Sequence, residues 1–432
     1  MRRLSILVVA MLALLPLRWF KVLSSPAGTL YLHEVGLLMV SVVAIATLAP
    51  RTIAAAADAN AFVTSAMAAG FAVWGAACVY HGIPLATSIK QCAYLGSFVL
   101  VVASFFAIVS AKDPAAIRIL RWAGVVTTVT LLAALELALR INHVDAVSVL
   151  TSAATSGDPS VVEAQLFRPA FAGFGYSDAD AVSQLRHEVF AGLLVALLVA
   201  SWAQQQLPFG RRSARWLAQG ALVVSTLLIV LSLSRSVQLA AVCWPLLAGV
   251  RVAMVGTISR RQLVASGVGA LVLAGVAASG FAGVLVERVT QDSSSYDERG
   301  AKLDAAVDTI RRFPWSGGHY DDAISSHNFV LDAWLRGGVV MAALMLAVLA
   351  YVVVRLASNI TQLATAPAWL VPVTAAFVLP LVRMFTIGAG LMTPPEWVGL
   401  AFALALSAVH ARATRTATVP ARVTFARPLV AR

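Results

Sequence analysis

Apolar runs of about 20 residues recur along this chain, and no other feature restricts its fold as strongly. One such run, wound as an α-helix, crosses the hydrocarbon core of a bilayer. The runs fall near 4–17, 28–49, 61–82, 92–111, 117–139, 188–206, 216–234, 236–255, 263–285, 329–354, 368–387 and 394–410. The short alternating segments of a transmembrane barrel are absent from the sequence. The expected fold is an all-α polytopic membrane protein of about 12 transmembrane helices, with residues 1–432 forming one integral membrane domain. Composition agrees, since 60% of the residues are hydrophobic, more than a soluble core of this size buries. Met1-Arg2-Arg3 ahead of Leu4–Leu17 resembles a secretory signal, but lacks a clear cleavage site before Arg18 and is taken as an uncut first span.

The net charge of +12 raises the possibility of a nucleic-acid partner. In a membrane protein, arginine on cytoplasmic loops accounts for it more simply, so no nucleic acid is expected. An even number of spans puts both termini on one side. With the termini inside, the inner loops and ends hold 18 of the 32 Lys and Arg residues, opposed there only by Asp58 and Asp113. The inner side is then strongly basic, as topology rules expect. Two long polar segments, 140–187 and 286–328, fall outside the cytoplasm, each with helical stretches. The tail 411–432 reads as a basic cytoplasmic segment lying near anionic membrane lipids. Cys78, Cys92 and Cys243 sit in or beside apolar runs without disulfide or metal spacing.

The densest polar stretch is Ser293–Gly338. It contains an amphipathic helix pattern opened by Tyr296-Asp297-Glu298, with apolar Ala301, Ala305, Ile310 and Phe313 alongside Leu303 and Val307. Asp297 or Ser295 can cap it. Arg299 and Lys302 stand near its start, where a cation is unfavourable to the helix dipole. Arg311-Arg312 stand near its end, where the dipole favours them. Pro314-Trp315-Ser316-Gly317-Gly318 makes a turn, and His327-Asn328 opens the next apolar run, with Ser325-Ser326 able to cap it. Arg288, Arg299 and Arg336 flank the histidine in sequence.

Arg235 lies between two apolar runs, as a buried arginine or at the tip of an outer hairpin; an arginine within a span is costly unless paired or functional. In the first outer segment, Arg168 and Arg186 suit a headgroup-level anchor. They also suit a basic wall facing an anionic lipid headgroup. Several guanidiniums with one histidine outside the cytoplasm point to a bound phosphate-bearing lipid, because guanidinium matches phosphate oxygens with paired hydrogen bonds. Histidine can take a proton near neutral pH. No carboxylate set suggests a metal; Asp321-Asp322, the nearest candidate, reads as a solvated pair.

His327-Asn328, with Gly338 downstream, resembles the histidine motif of the O-antigen ligase family, within a wider group that includes O-antigen polymerases and protein O-oligosaccharyltransferases. Arg299, Ala305, Ile310, Pro314 and Gly317-Gly318 resemble the same group upstream, and Ser234-Arg235-Ser236 resembles its arginine in an earlier span. Met341 departs from the motif, which has Gly, Thr or Tyr at that place. The specific match covers about 293–341. The resemblance implies an inverting, metal-independent glycosyltransferase without cofactors, at the periplasmic face of the bacterial inner membrane. It implies an undecaprenyl-diphosphate-linked polysaccharide as donor and a sugar hydroxyl of the lipid A core as acceptor.

On that reading His327, Arg299, Arg288 and Arg235 form the catalytic set. Asn328, Arg186, Arg168, Arg336 and Lys302 contact substrate. An O-antigen polymerase or a protein O-oligosaccharyltransferase would share the donor and differ in the acceptor. A lipid or polysaccharide transporter would instead place ionisable residues deep in several spans, often with broken helices. Glu136 and Glu34 are the acids that sequence places within spans.

Overall fold

The computed structural model describes residues 1–25, 28–82, 85–158, 160–172, 179–256, 293–318, 326, 328–386 and 394–418. Among the described residues the fold is all-α apart from one short hairpin. Six helices among the described residues are long and apolar enough to cross a membrane, seven if one bent pair counts as a single span. They are Ala61–Tyr80, Pro114–Ile141, Leu185–Gln206, Arg212–Leu231, Arg235–Val255 and Phe329–Gln362, and the bent pair is Leu32–Thr47 with Pro50–Ala59. The apolar run at 263–285 lies outside the described residues.

The chain opens with α1, Arg2–Leu14, only 13 residues long. At 1.5 Å per residue it reaches about 20 Å, short of a full bilayer. It is interior all the same: Val8, Met11 and Leu12 are fully buried. It packs against α2, Leu32–Thr47, and α7, Ala123–Ile141. Between α1 and α2, β1 (Lys21–Ser25) pairs antiparallel with β2 (Gly28–Tyr31), so the span expected from residue 28 starts later. It also ends differently. α2 meets α3, Pro50–Ala59, at a bend of 116°. Proline is the cause: Ala49 before it is extended, with ψ of 140°, because the pyrrolidine ring crowds a helical residue at that place.

α4 (Ala61–Tyr80) and α5 (Leu85–Ser110) follow as expected. A break after α6 (Pro114–Leu120) then leads into α7. The first outer segment folds into α8 (Ala146–Ser156), α9 (Ser160–Val162), a π-helical turn at Glu163–Phe167 and α10 (Arg168–Ala172). α11, Ala179–Gln206, is the centre of the bundle. From Val189 to Val199 almost every side chain is buried, which is what an all-round apolar helix requires. It touches α1, α7 and α10. It also touches α12 (Arg212–Leu231), α13 (Arg235–Val255), α16 (Leu370–Thr386) and α17 (Pro394–Thr418). Close approach to α1 depends on Gly192, where a Cβ would lie 3.1 Å from the Pro16 nitrogen. Small residues serve helix packing in lipid in the same way. α12 and α13 carry wide exposed apolar faces. The remaining described helices are α14 (Ser293–Arg312) and α15 (Phe329–Gln362).

The basic residues assigned by sequence to the inner loops gather at one end of this bundle. Arg121 donates to the carbonyls of Leu207 (3.2 Å) and Pro208 (2.9 Å). Arg412 donates to the Ala55 carbonyl at 2.9 Å. Arg251 reaches the Leu363 and Ala366 carbonyls. Arg121 and Arg251 satisfy carbonyls where helices end and connections begin, groups that would otherwise lack partners, whereas Ala55 lies within α3.

Candidate functional site

The opposite end is built around the first turns of α11. Residues one and two apart on a helix point to different sides. Arg186, His187 and Glu188 accordingly reach three different elements. Arg186 pairs with Glu163, a carboxylate only 3% exposed in the π-helical turn. Arg168 approaches the same carboxylate at 3.6 Å from the adjoining α10. His187 Nδ1 and the Ser234 hydroxyl lie 2.5 Å apart, which ties α11 to the α12–α13 hairpin. Glu188 pairs with Arg18 in the connection after α1. Aromatic rings fill the space beneath: Phe167 lies against Phe171 and Phe190, and Phe171 against Trp19.

Arg235 is the first residue of α13, next to Ser234. Of the two placements open to it in sequence, the hairpin tip is the one observed. Ser232, Ser234 and Ser236 around it are buried. The Ser234 amide donates to the Ser232 hydroxyl at 3.2 Å. A second buried ion pair joins the neighbouring helices, between Arg383 near the end of α16 and Glu396 at the start of α17. Arg18 is near enough to Arg383 for their charges to interact.

The other half of the site is α14 and the head of α15. α14 begins at Ser293, so Arg299 falls in its second turn and the first-turn dipole argument does not apply to it. The apolar face also differs from the pattern expected. Ala306 and Ile310 are buried against Leu335 of α15, with Leu331 and Trp334 beside them. Leu303 and Phe313 are exposed. The half-buried Lys302 continues the Ala306–Ile310 stripe one turn further along α14. The proline-tryptophan-glycine turn docks on a break in α15. Trp334 Nε1 donates to the Pro314 carbonyl at 2.7 Å, and the Gly318 amide donates to the Leu335 carbonyl at 3.0 Å. Gly338 has φ 68° and ψ −168°, outside helical geometry.

Asn328 is the N-cap of α15: its side-chain oxygen accepts from the amides of Val330 (3.0 Å) and Leu331 (3.3 Å). The cap is thus not the serine pair expected. Ser326 instead donates its amide (2.6 Å) and its hydroxyl (2.7 Å) to Asp332, which is 2% exposed. Arg336 is buried, with its guanidinium 5.9 Å from the Trp74 ring centre of α4. Asn328→Ala is expected to lower stability by about 1 kcal/mol, the usual worth of a cap, while Asn328→Asp retains it. Thermal unfolding of the purified variants checks this.

The structure therefore brings Arg168, Arg186 and Arg235 together around the head of α11. Arg336, Lys302 and Asn328 sit on the α14–α15 unit. His327 and Arg288 lie outside the described residues, as does the side chain of Arg299. Sequence reasoning missed Glu163, Arg18, Arg383, Glu396 and Asp332. The cost of ionisable groups in or beside an apolar run was the signal available for them. Of the acids it did single out within spans, Glu136 is exposed and pairs with Arg140 one turn away. Glu34 accepts from the Tyr31 amide at 2.8 Å and completes the cap of α2. No protein-family model matches the chain, and no curated protein matches its sequence.

Proposed function

We propose that this chain is a membrane glycosyltransferase of the O-antigen ligase type, with about 12 spans, both termini cytoplasmic and its site at the periplasmic face. One observation carries the reading. At the end of the bundle opposite the basic loops, Arg168 and Arg186 share the single carboxylate of Glu163, and Arg235 stands at the α12–α13 tip next to Ser234, which meets His187 of the same α11 head. The Ser326–Asn328 entry to α15 opens at the same end of the bundle, since the residues just past the far end of α15 meet Arg251. A diphosphate on a lipid carrier complements such a site in charge and in hydrogen-bond geometry.

In the proposed reaction His327 takes the proton from a sugar hydroxyl of the lipid A core as that oxygen attacks the anomeric carbon. The C–O bond to the carrier diphosphate breaks on the opposite side, so configuration inverts. The bonding pair leaves with the diphosphate oxygen. Arg235, Arg288 and Arg299 hold the diphosphate. Arg168 and Arg186, sharing one carboxylate, contribute net positive charge nearby. These contacts accelerate the step only insofar as they strengthen while charge builds on the leaving oxygen.

A transporter has two observations in its favour: the bent α2–α3 span, and the buried Arg383–Glu396 pair within apolar helices. The position of the ion pair argues the other way. Both residues lie within a turn of a helix end, whereas transport sites sit near the bilayer midplane.

The test is transfer by purified protein from lipid-linked glycan to lipid A core in the presence of a chelator. His327→Ala is expected to lower transfer by about 10²–10⁴-fold, the range for a positioned base, with folding unchanged. Undiminished transfer removes His327 from the mechanism. Arg299→Lys is expected to lose much of the activity, because lysine lacks the planar fork. Full activity in that variant overturns its place in the diphosphate clamp.

A further inference from the structure

α15 is 34 residues long. At 1.5 Å per residue it would extend about 51 Å, far more than the roughly 30 Å of hydrocarbon it has to cross. Its burial pattern shows which part faces lipid. The large apolar side chains exposed on α15 are Val340, Leu346, Val353 and Val354, and none precedes Val340. Before the break at Gly337-Gly338, the helix instead carries buried Asp332 and Arg336. From Gly338 to Arg355 the rise is about 26 Å, close to a hydrocarbon thickness. The outer hydrocarbon boundary thus falls at the break, and the first two turns of α15 stand above it.

The turn after α14 is pinned at that same level. A Cβ on Gly338 would lie 1.8 Å from the Trp315 carbonyl oxygen, and one on Gly317 would lie 2.3 Å from that of Leu335. Trp315 is 81% exposed and Phe313 51%. Arg311 and Arg312 are exposed beside them at the end of α14. Large exposed aromatic side chains on a backbone held this tightly have no role in the core. Aromatic rings flanked by arginine, at the depth where a span begins, match the headgroup zone of a bilayer, with ring in the acyl margin and guanidinium at phosphate.

We propose that Phe313 and Trp315 form a membrane-seating wedge, inserted into the outer leaflet interface with Arg312 toward lipid phosphate. The wedge sets the depth of α14 against the bilayer. It also sets the height of the α15 head, where Ser326, Asn328 and Asp332 lie. A surface helix is thereby anchored twice, to α15 through glycine contacts and to lipid through the two rings.

The test needs no transfer activity, so it stands or falls separately from the proposed reaction. A spin label is attached at Trp315→Cys, and separately at Asp308→Cys, in a background without the native cysteines, and the protein is reconstituted into phosphatidylglycerol–phosphatidylethanolamine vesicles. The Trp334 bond to the Pro314 carbonyl does not involve the Trp315 side chain, so the turn is expected to stay docked. The label at 315 is expected to be more accessible to oxygen than to a water-soluble nickel chelate, and the label at 308 to show the reverse. A label at 315 that collides mainly with the nickel chelate overturns the proposal. So does one shielded from both relaxants only when soluble oligosaccharide is added, which would mark a sugar platform. Phe313→Cys is the second variant, with the same expectation.

Discussion

Arg383→Leu and Glu396→Leu are each expected to destabilise the protein by about 3–5 kcal/mol, while the double replacement returns most of the loss. Arg383 is 1% exposed and Glu396 is fully buried, so the pair has no access to water. Removing one member leaves the other as an uncompensated charge between α16, α17 and α11. Removing both deletes the desolvation cost together with the attraction, and apolar side chains of roughly similar volume then fill the space. The surroundings sharpen the asymmetry. Arg18 lies near enough for its charge to reach Arg383. Without Glu396, Arg383 would be left with the unfavourable influence of the Arg18 charge, which is itself paired with Glu188. Arg383 alone is therefore expected to be harder to tolerate than Glu396 alone.

Thermal unfolding of the four proteins in one detergent measures the coupling directly. A coupling below about 0.5 kcal/mol, the scatter of independent sites, would show that the pair acts as two separate groups. The same four proteins also divide structure from chemistry. A double variant that folds and still transfers glycan confines the pair to packing, whereas one that folds without transfer places the charges in the site.

What was legible in the sequence follows from how far apart the interacting residues lie. A span announces itself within 20 residues, because lipid demands continuous apolar surface, and most runs duly appear as helices. The corner at Pro50 and the break at Gly337-Gly338 are also local, but neither is read from the sequence, where 329–354 runs as one unbroken span. The pairing of Arg186 with Glu163 is not local. It forms only when a π-helical turn and the head of α11 pack side by side, and nothing about either residue in isolation names the other. Arg18 with Glu188, and His187 with Ser234, depend in the same way on long-range packing. Sequence read the arginines as a group because each is expensive near lipid. It could not apportion the acids among them, so Arg168 and Arg186 read as a headgroup anchor or a basic wall, where the structure pairs both with Glu163. The β1–β2 hairpin was hidden for another reason: β2 was absorbed into the apolar run at 28–49, and β1 fell between that run and the one before it.

Gly338→Ala is expected to cost about 3 kcal/mol or more, and to do so at one joint rather than throughout the bundle. Two separate effects add there. The backbone, at φ 68° and ψ −168°, lies in a region that is essentially restricted to glycine. A methyl group would also be driven to 1.8 Å from the Trp315 carbonyl, a rigid backbone atom with nowhere to retreat while Trp334 holds the turn. The cheapest relief is for the Phe313–Gly318 turn to leave α15, taking the end of α14 with it. A cost of this size corresponds to roughly a hundredfold shift toward the undocked turn. α4 also meets α15 next to the joint, through Trp74 and Arg336, but the methyl group would press on the turn, so the variant is expected to insert normally into the membrane. Gly300→Ala is the matched control: a Cβ there meets nothing within 4 Å, and alanine suits a helix better than glycine. Limited proteolysis of both proteins in vesicles is the measurement. Cleavage within 311–318 should rise sharply for Gly338→Ala and stay unchanged or fall for Gly300→Ala. Equal resistance in the two would mean that α14 keeps its place without the glycine joint. If the turn does come free, the proposed transfer should fall with it, because the Asp332 carboxylate that holds Ser326 and the Val330 and Leu331 amides that hold Asn328 belong to the short head of α15 that this joint separates from its membrane span.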